Sequence, residues 1–145
     1  MSGNGKTIVT ADDLIENRLL IKGILEQDGY VVFDARDGAD CLALLARVVP
    51  RLILLDIQMP DMNGFEVCRR IRQNDVFRHV PIAFLTASKT IEEVKEGMAA
   101  GGNDFLTKPI RAEPLLERVK YWTNRSIRGE FESPSADRGP AALRP

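Results

Sequence analysis

Residues Leu52-Ile53-Leu54-Leu55-Asp56 place four apolar side chains in a row ahead of a carboxylate. An unbroken apolar run of this length reads as a strand buried on both faces, the pattern of a parallel sheet covered by helices. Burying a carboxylate without compensation is costly. Asp56 therefore belongs at the strand's end, where the chain turns out through Ile57-Gln58-Met59-Pro60-Asp61-Met62-Asn63-Gly64 and the side chain can face a crevice. A second acidic pair, Asp12-Asp13, closes another apolar run over residues 7–11. Three carboxylates at two strand ends predict a pocket for a divalent cation.

Strand-like and helix-like patterns alternate five times. The strands are expected at residues 7–11, 30–35, 52–56, 82–86 and 104–107. Between and after them lie helical stripes: Leu14, Leu20, Ile21, Ile24 and Leu25, stopped by Gly29; Leu42, Leu45, Ala46 and Val49 before Pro50; and Phe65, Cys68 and Ile71 after Gly64. Thr90-Ile91-Glu92-Glu93 has the form of a capping box, with Ile91, Val94 and Met98 behind it, and Leu115, Val119 and Trp122 make the last stripe. Such alternation implies right-handed βαβ units and a doubly wound α/β fold with helices on both faces. Ligands in these folds bind past the carboxyl ends of the strands, where the strand order reverses. Asp12, Asp13, Asp56, Thr86 and Lys108 all stand at such ends.

The 145 residues allow one domain, expected over residues 6–125, with a flexible start at 1–5 and a disordered tail from 126 onward, where the apolar stripes stop. A net charge of −1 gives no electrostatic reason to expect nucleic acid or a membrane surface as partner. No segment approaches the ~18 apolar residues of a membrane span, and the first residues lack the apolar core of a signal peptide. Cys41 and Cys68 fall in helical patterns and read as core thiols, for which a reducing cytoplasm is the simplest setting. His79 has no cysteine cluster near it, against a zinc site. Arg69, Arg70, Arg72 and Arg78 read as a solvated face whose charges complement a helix C-terminus.

Carboxylates crowded at one rim repel: two unit charges 4 Å apart cost about 4 kcal/mol at an effective dielectric of 20. Mg²⁺ is the natural offset, a hard cation that takes one or two carboxylates, waters and a substrate phosphate. Lys108 adds a second positive charge and Thr86 a hydroxyl donor. A cation, an amine and a hydroxyl around one carboxylate suit phosphoryl transfer, with that carboxylate as nucleophile. Asp56 is the best choice, because its buried strand fixes its position.

Four pieces of the chain, in order, resemble the receiver domain of two-component response regulators over residues 6–124. They are Asp12-Asp13; Leu54-Leu55-Asp56-Ile57-Gln58-Met59-Pro60-Asp61-Met62-Asn63-Gly64; Pro81-Ile82-Ala83-Phe84-Leu85-Thr86-Ala87; and Asp104-Phe105-Leu106-Thr107-Lys108-Pro109. The resemblance implies a flavodoxin-like five-stranded sheet in the order 2-1-3-4-5. It implies that Asp56 accepts phosphate from a histidine kinase or histidine phosphotransfer protein and that a partner-binding face then switches toward a downstream effector. It also implies that Asp13, Asp56 and the backbone carbonyl of Gln58 hold Mg²⁺ (with Mn²⁺ as a substitute), while Asp12 acts through water. Lys108 pairs with Asp56 or its phosphate, Thr86 and the backbone of Ala87 bind phosphate oxygens, and Phe105 matches an aromatic switch position. A homodimer is permitted by opposite charges on the face of the last two helices: Glu92, Glu93, Lys95 and Glu96 against Arg111, Arg118 and Lys120.

The sequence departs from the family pattern at Thr10-Ala11, Leu14-Ile15 and Gly101-Gly102-Asn103, none of them a phosphorylation residue. Asp12-Asp13 could serve only as a helix cap, and Phe105 only as core. Two rival functions stand beside the phosphoacceptor. An Asp-nucleophile phosphohydrolase would need an acid two positions after Asp56, where Gln58 stands. A phosphorylation-independent interaction module rests only on the variation at Thr10-Ala11 and Leu14.

Overall fold

The computed structural model describes residues 6–128. The elements run β1 (Thr7–Ala11), α1 (Ile15–Gln27), β2 (Val31–Ala35), α2 (Gly38–Leu45), β3 (Leu52–Asp56), α3 (Gly64–Arg72), a 3₁₀ turn (Asp75–Phe77), β4 (Ile82–Thr86), α4 (Ile91–Ala100), β5 (Asp104–Thr107) and α5 (Ala112–Arg128). All strand pairs are parallel and the order is β2-β1-β3-β4-β5. All five expected strands form. The tail expected from residue 126 lies mostly outside the described residues, and α5 runs to Arg128.

The sheet separates two apolar layers. Val9, Ala11, Ile53, Leu55 and Phe84 point into one, under α2, α3 and α4, while Ile8, Leu52, Leu54, Ala83 and Leu85 point into the other, under α1 and α5. Every residue of β1, β3 and β4 is buried, which is why these strands read as continuous apolar runs. Register then levels the strand ends. Ala11 pairs with Leu55, Asp56 with Leu85, and Thr86 with Thr107. Asp12, Asp56, Thr86 and Lys108 consequently emerge along one edge.

The helical stripes hold where they face the sheet squarely. Phe65, Cys68 and Ile71 are buried, as are Leu115, Val119 and Trp122. Three other stripes are corrected. On α1 the buried face is Ile21 and Leu25, whereas Leu14 and Leu20 are exposed. Helix α2 ends at Leu45, so Val49 lies beyond it in solvent, and its buried side is Cys41 and Leu45. On α4 the buried residues are Gly97 and Ala100, and Ile91 is 72% exposed. Gly97 packs so closely on the Phe105 ring that a Cβ there would overlap it. An aromatic ring on β5 thus takes the place of an apolar side chain on α4.

Arg72 departs from the expected solvated face. Arg69 and Arg70 do pair with Glu66 in solvent. Arg72 instead lies under the α4–β5 connection. Its Nε donates to the Gly101 carbonyl at 2.9 Å, its Nη1 to the carbonyls of Phe77 and Val80 at 2.7 and 2.8 Å, and its Nη2 to Asn103 Oδ1 at 3.0 Å. Asn103 Oδ1 also accepts from Ile82 N–H at 2.9 Å. One guanidinium fork ties the α3–β4 connection to the α4–β5 connection at the amino edge of the sheet. Removing a partner from buried acceptors costs about 1–3 kcal/mol, so Arg72→Met should lower unfolding free energy by about that amount. Arg69→Ala should stay within about 0.5 kcal/mol of the parent. Urea unfolding of both variants checks the contrast, and equal stabilities would contradict this role for Arg72.

Candidate functional site

Past the carboxyl ends of β1, β3, β4 and β5 lies a cavity of about 250 Å³. Asp13, Leu14, Asp56, Gln58, Thr86, Ala87, Glu93 and Lys108 are on its wall. Asp12 is fully buried, Asp56 and Thr86 are each 3% exposed, and Asp13 is exposed. One carboxylate oxygen from each of Asp12, Asp13 and Asp56 falls within 4.8 Å of the others. The three acids, Gln58, Thr86, Ala87 and Lys108, singled out in the sequence, therefore meet in one place. Phe105 does not reach this cavity. Its ring is 1% exposed in the core, 5.2 Å from the Phe84 ring, and its edge lines a groove with Leu106, Pro114 and Tyr121.

Lys108 Nζ donates to Asp56 Oδ1 at 2.9 Å and lies 3.5 Å from Asp12 Oδ2. Burial pulls its pKa down, but the hydrogen bond it donates to Asp56 and the charges of Asp56 and Asp12 outweigh that and hold it above the ordinary value. The amine therefore stays charged. The Asp56 carboxyl is pushed up to about 6. Burial is the largest influence, the Lys108 hydrogen bond opposes it, and the charge of Asp12 adds to it. Three carboxylates against one ammonium leave the cluster with a net negative charge when all are ionised.

Asp12 Oδ1 accepts from Leu14 N–H at 3.0 Å and from Asn17 Nδ2 at 3.4 Å, but its Oδ2 is buried without a hydrogen bond. This buried oxygen, 3.5 Å from Lys108 Nζ and clustered with two further carboxylates, fits a hard divalent cation and its waters. Helix capping thus uses only one of the two oxygens of Asp12.

The β3–α3 loop is held from two sides. A Cβ on Gly64 would stand 2.5 Å from the Asp56 carbonyl oxygen, so the loop can close back on β3 only with glycine there. The Asp61 carboxylate accepts from the N–H groups of Gly38 and Ala39 at 3.0 and 2.8 Å, at the start of α2. These contacts fix the loop that carries Gln58. Arg18, not anticipated from sequence, donates from Nη1 to the Asp12 carbonyl at 2.8 Å and pairs with Asp34 at 3.2 Å. Its partner lies on β2, and nothing in the local sequence signals that pairing. In the sequence Glu93 reads as half of a capping box and as a charge on the α4 face. Thr90 Oγ1 does accept from Glu93 N–H at 3.1 Å, but the Glu93 carboxylate turns to Thr86 Oγ1 at 2.8 Å.

The family model for the response regulator receiver domain matches residues 8–120. The chain belongs to this family. It is 40% identical over 116 residues to the response regulator PleD of Caulobacter vibrioides, covering 80% of this chain and 26% of that protein. It is 33% identical to the phosphate regulon transcriptional regulatory protein PhoB of Pseudomonas aeruginosa, covering 90% and 57%. The receiver thus spans about a quarter to somewhat over half of the length of these relatives. Among solved structures it is similar to the chemotaxis response regulator CheY4 of Vibrio cholerae, with a TM-score of 0.77, 32% identity, and coverage of 79% and 96%. A receiver domain protein from Methanospirillum hungatei matches with a TM-score of 0.80 at 27% identity, covering 86% and 98%. The receiver fold and its strand order agree with what the sequence implied. Among the described residues no helix is long and apolar enough to cross a membrane.

Asp56 also makes the receiver's stability depend on pH. Its folded pKa of about 6 exceeds the ordinary value of 3.8, so the folded state holds the proton more tightly than the unfolded one. The stability this contributes is complete below about pH 4 and is lost as pH rises through about 6. Without divalent metal, Asp56→Asn should therefore be more stable than the parent at pH 7.5, on the order of 1–2 kcal/mol, with the gap closing by pH 4. Urea unfolding at both pH values tests this, and a variant less stable at pH 7.5 would contradict it.

Proposed function

We propose that this receiver is a phosphoacceptor switch in which Asp56 takes a phosphoryl group from a histidine kinase or histidine phosphotransfer protein. The observation that carries the reading is the Lys108 ammonium at 2.9 Å from a buried Asp56 carboxylate that shares its cavity with two further acids. An Asp56 oxygen attacks the phosphorus of the donor, the phosphorus–nitrogen bond to the donor histidine breaks, and the histidine leaves with the bonding electron pair. Asp13, Asp56 and the Gln58 carbonyl would hold Mg²⁺, or Mn²⁺ in its place, with Asp12 acting through water; the ion neutralises charge on the phosphoryl oxygens. Lys108 pairs with a phosphoryl oxygen, and the Thr86 hydroxyl and Ala87 N–H bind others. The chain assists its own phosphorylation and dephosphorylation and acts on no separate substrate. Phe105 is proposed as the aromatic element of the switch, which passes the change at Thr86 to a face that meets an effector.

Pairing of two copies through α4, β5 and α5 belongs to the same reading, but fewer of its charges are available than the sequence implies. Arg118 lies 3.4 Å from Asp104, Lys120 3.7 Å from Asp28, and Glu93 on Thr86. Glu92, Lys95, Glu96 and Arg111 remain to carry it. A cytoplasmic setting fits a chain with two buried free thiols and a kinase as partner.

Incubation with Mg²⁺ and acetyl phosphate, followed by intact mass, tests the function. The parent should gain one phosphoryl group and Asp56→Asn none. Asp13→Ala should react more slowly and bind Mg²⁺ at least about tenfold more weakly by calorimetry, the loss of about 1.4 kcal/mol. Fast acetyl phosphate turnover without an adduct would favour the phosphohydrolase, and no reaction would favour a passive interaction module.

A further inference from the structure

The hydroxyl that the proposed switch needs is already engaged. Thr86 Oγ1 lies 2.8 Å from Glu93 Oε1 and 2.7 Å from the Ser88 carbonyl oxygen, and it accepts from Ser88 N–H at 3.2 Å. A hydroxyl has one proton to give. Both acceptors belong to the chain that follows β4, and neither to the Asp56 side of the cavity. The carboxylate is the stronger acceptor, since hydrogen bonds to ionised groups are roughly twice as strong as neutral ones. The two ends of this bond are firmly placed. Thr86 closes a fully buried strand, and Glu93 is the third residue of α4, its N–H held by Thr90 Oγ1. Glu93 also stands on the wall of the cavity that holds Asp13, Asp56 and Lys108.

We infer that Glu93 is a latch: a positioning residue whose carboxylate holds the Thr86 hydroxyl away from Asp56 until a phosphoryl group there takes the hydrogen bond over. This rests on the phosphoacceptor reading. Thr86 then changes acceptors, from a Glu93 oxygen to a phosphoryl oxygen, and no covalent bond changes in that step. Glu93 is half-buried and can turn its freed carboxylate to water. The first turn of α4 thereby loses its tie to β4. Phosphorylation reaches α4 directly through this bond, alongside any movement of the Phe105 ring. Without the latch, the hydroxyl has only its neutral bond to the Ser88 carbonyl to give up, so the phosphorylated form is easier to reach.

A double-mutant cycle read by Mg²⁺–beryllofluoride binding tests the latch, with amide NMR shifts of residues 86–88 as the signal. Glu93→Ala should lower the half-saturating beryllofluoride concentration about tenfold, equivalent to about 1.4 kcal/mol, and Glu93→Gln, which keeps a neutral acceptor, should lower it less. In a Thr86→Ala background the gain from Glu93→Ala should vanish, because there is no hydroxyl to release. Urea unfolding separates the latch from a plain helix cap: losing a cap lowers stability without tightening binding. Unchanged or weaker binding by Glu93→Ala would overturn the latch. So would a gain that persists in full without the Thr86 hydroxyl, since that would be the work of the cavity's charge alone. A parent protein that binds no beryllofluoride at saturating Mg²⁺ would overturn the phosphoacceptor reading itself, and the latch with it.

Discussion

Three carboxylates held within 4.8 Å of one another, with one ammonium against two of them, set the terms for the rest of this molecule. Like charges this close raise one another's pKa unless a cation offsets them. The fold accepts that cost because β1 and β3 are buried on both faces and cannot move their ends apart. Burial then does two opposite things. It pushes the Asp56 carboxyl upward, and it makes any positive charge that enters the cavity more effective. A site of this kind would gain most from a cation and a phosphoryl group bound together, since each would relieve what the other finds unfavourable.

The surrounding contacts keep the acids from relaxing. Arg18 holds the Asp12 backbone, Gly64 lets the β3–α3 loop close against Asp56, and Asp61 ties that loop to α2. On the far side of the cavity the Thr86–Glu93 bond spans β4 and α4. The acids are thus tied on one side of the rim, while on the other the Thr86–Glu93 bond joins β4 to the first turn of α4. Packed cores tend to have discrete arrangements rather than graded ones. Phe105, filling the space left by Gly97 against Phe84, is the neighbouring group whose ring would have to repack.

Much of this was legible in the sequence, for physical reasons that also explain what was not. Strands such as Leu52–Asp56 and Ile82–Thr86 are buried on both faces, so composition alone marks them, and parallel order levels their ends into one rim. Asp12, Asp13, Asp56, Thr86 and Lys108 follow from that geometry. Helical faces were less legible. Leu14, Leu20, Val49 and Ile91 are apolar yet exposed, because a folded surface tolerates apolar side chains and periodicity cannot tell them from core. Arg72 departs from the expected face for the complementary reason: a charged residue leaves solvent when carbonyls converge on it, and those of Phe77 and Val80 come from one connection and that of Gly101 from another. The same holds for the side-chain pairs of Arg18 with Asp34 and Glu93 with Thr86, which tertiary structure alone brings together.

If the net negative charge of the acid cluster calls for a further cation, a divalent metal ion should bind there. Calorimetric titration with Mg²⁺ between pH 5 and 8, repeated in two buffers of different ionisation enthalpy, measures this directly. With the Asp56 carboxyl at about 6, Mg²⁺ should bind more tightly as pH rises through that value, releasing close to one proton per ion at pH 5 and few at pH 8. Affinity that does not change with pH, with no proton released at either end, would show that Asp56 is already ionised without the metal and would contradict the account.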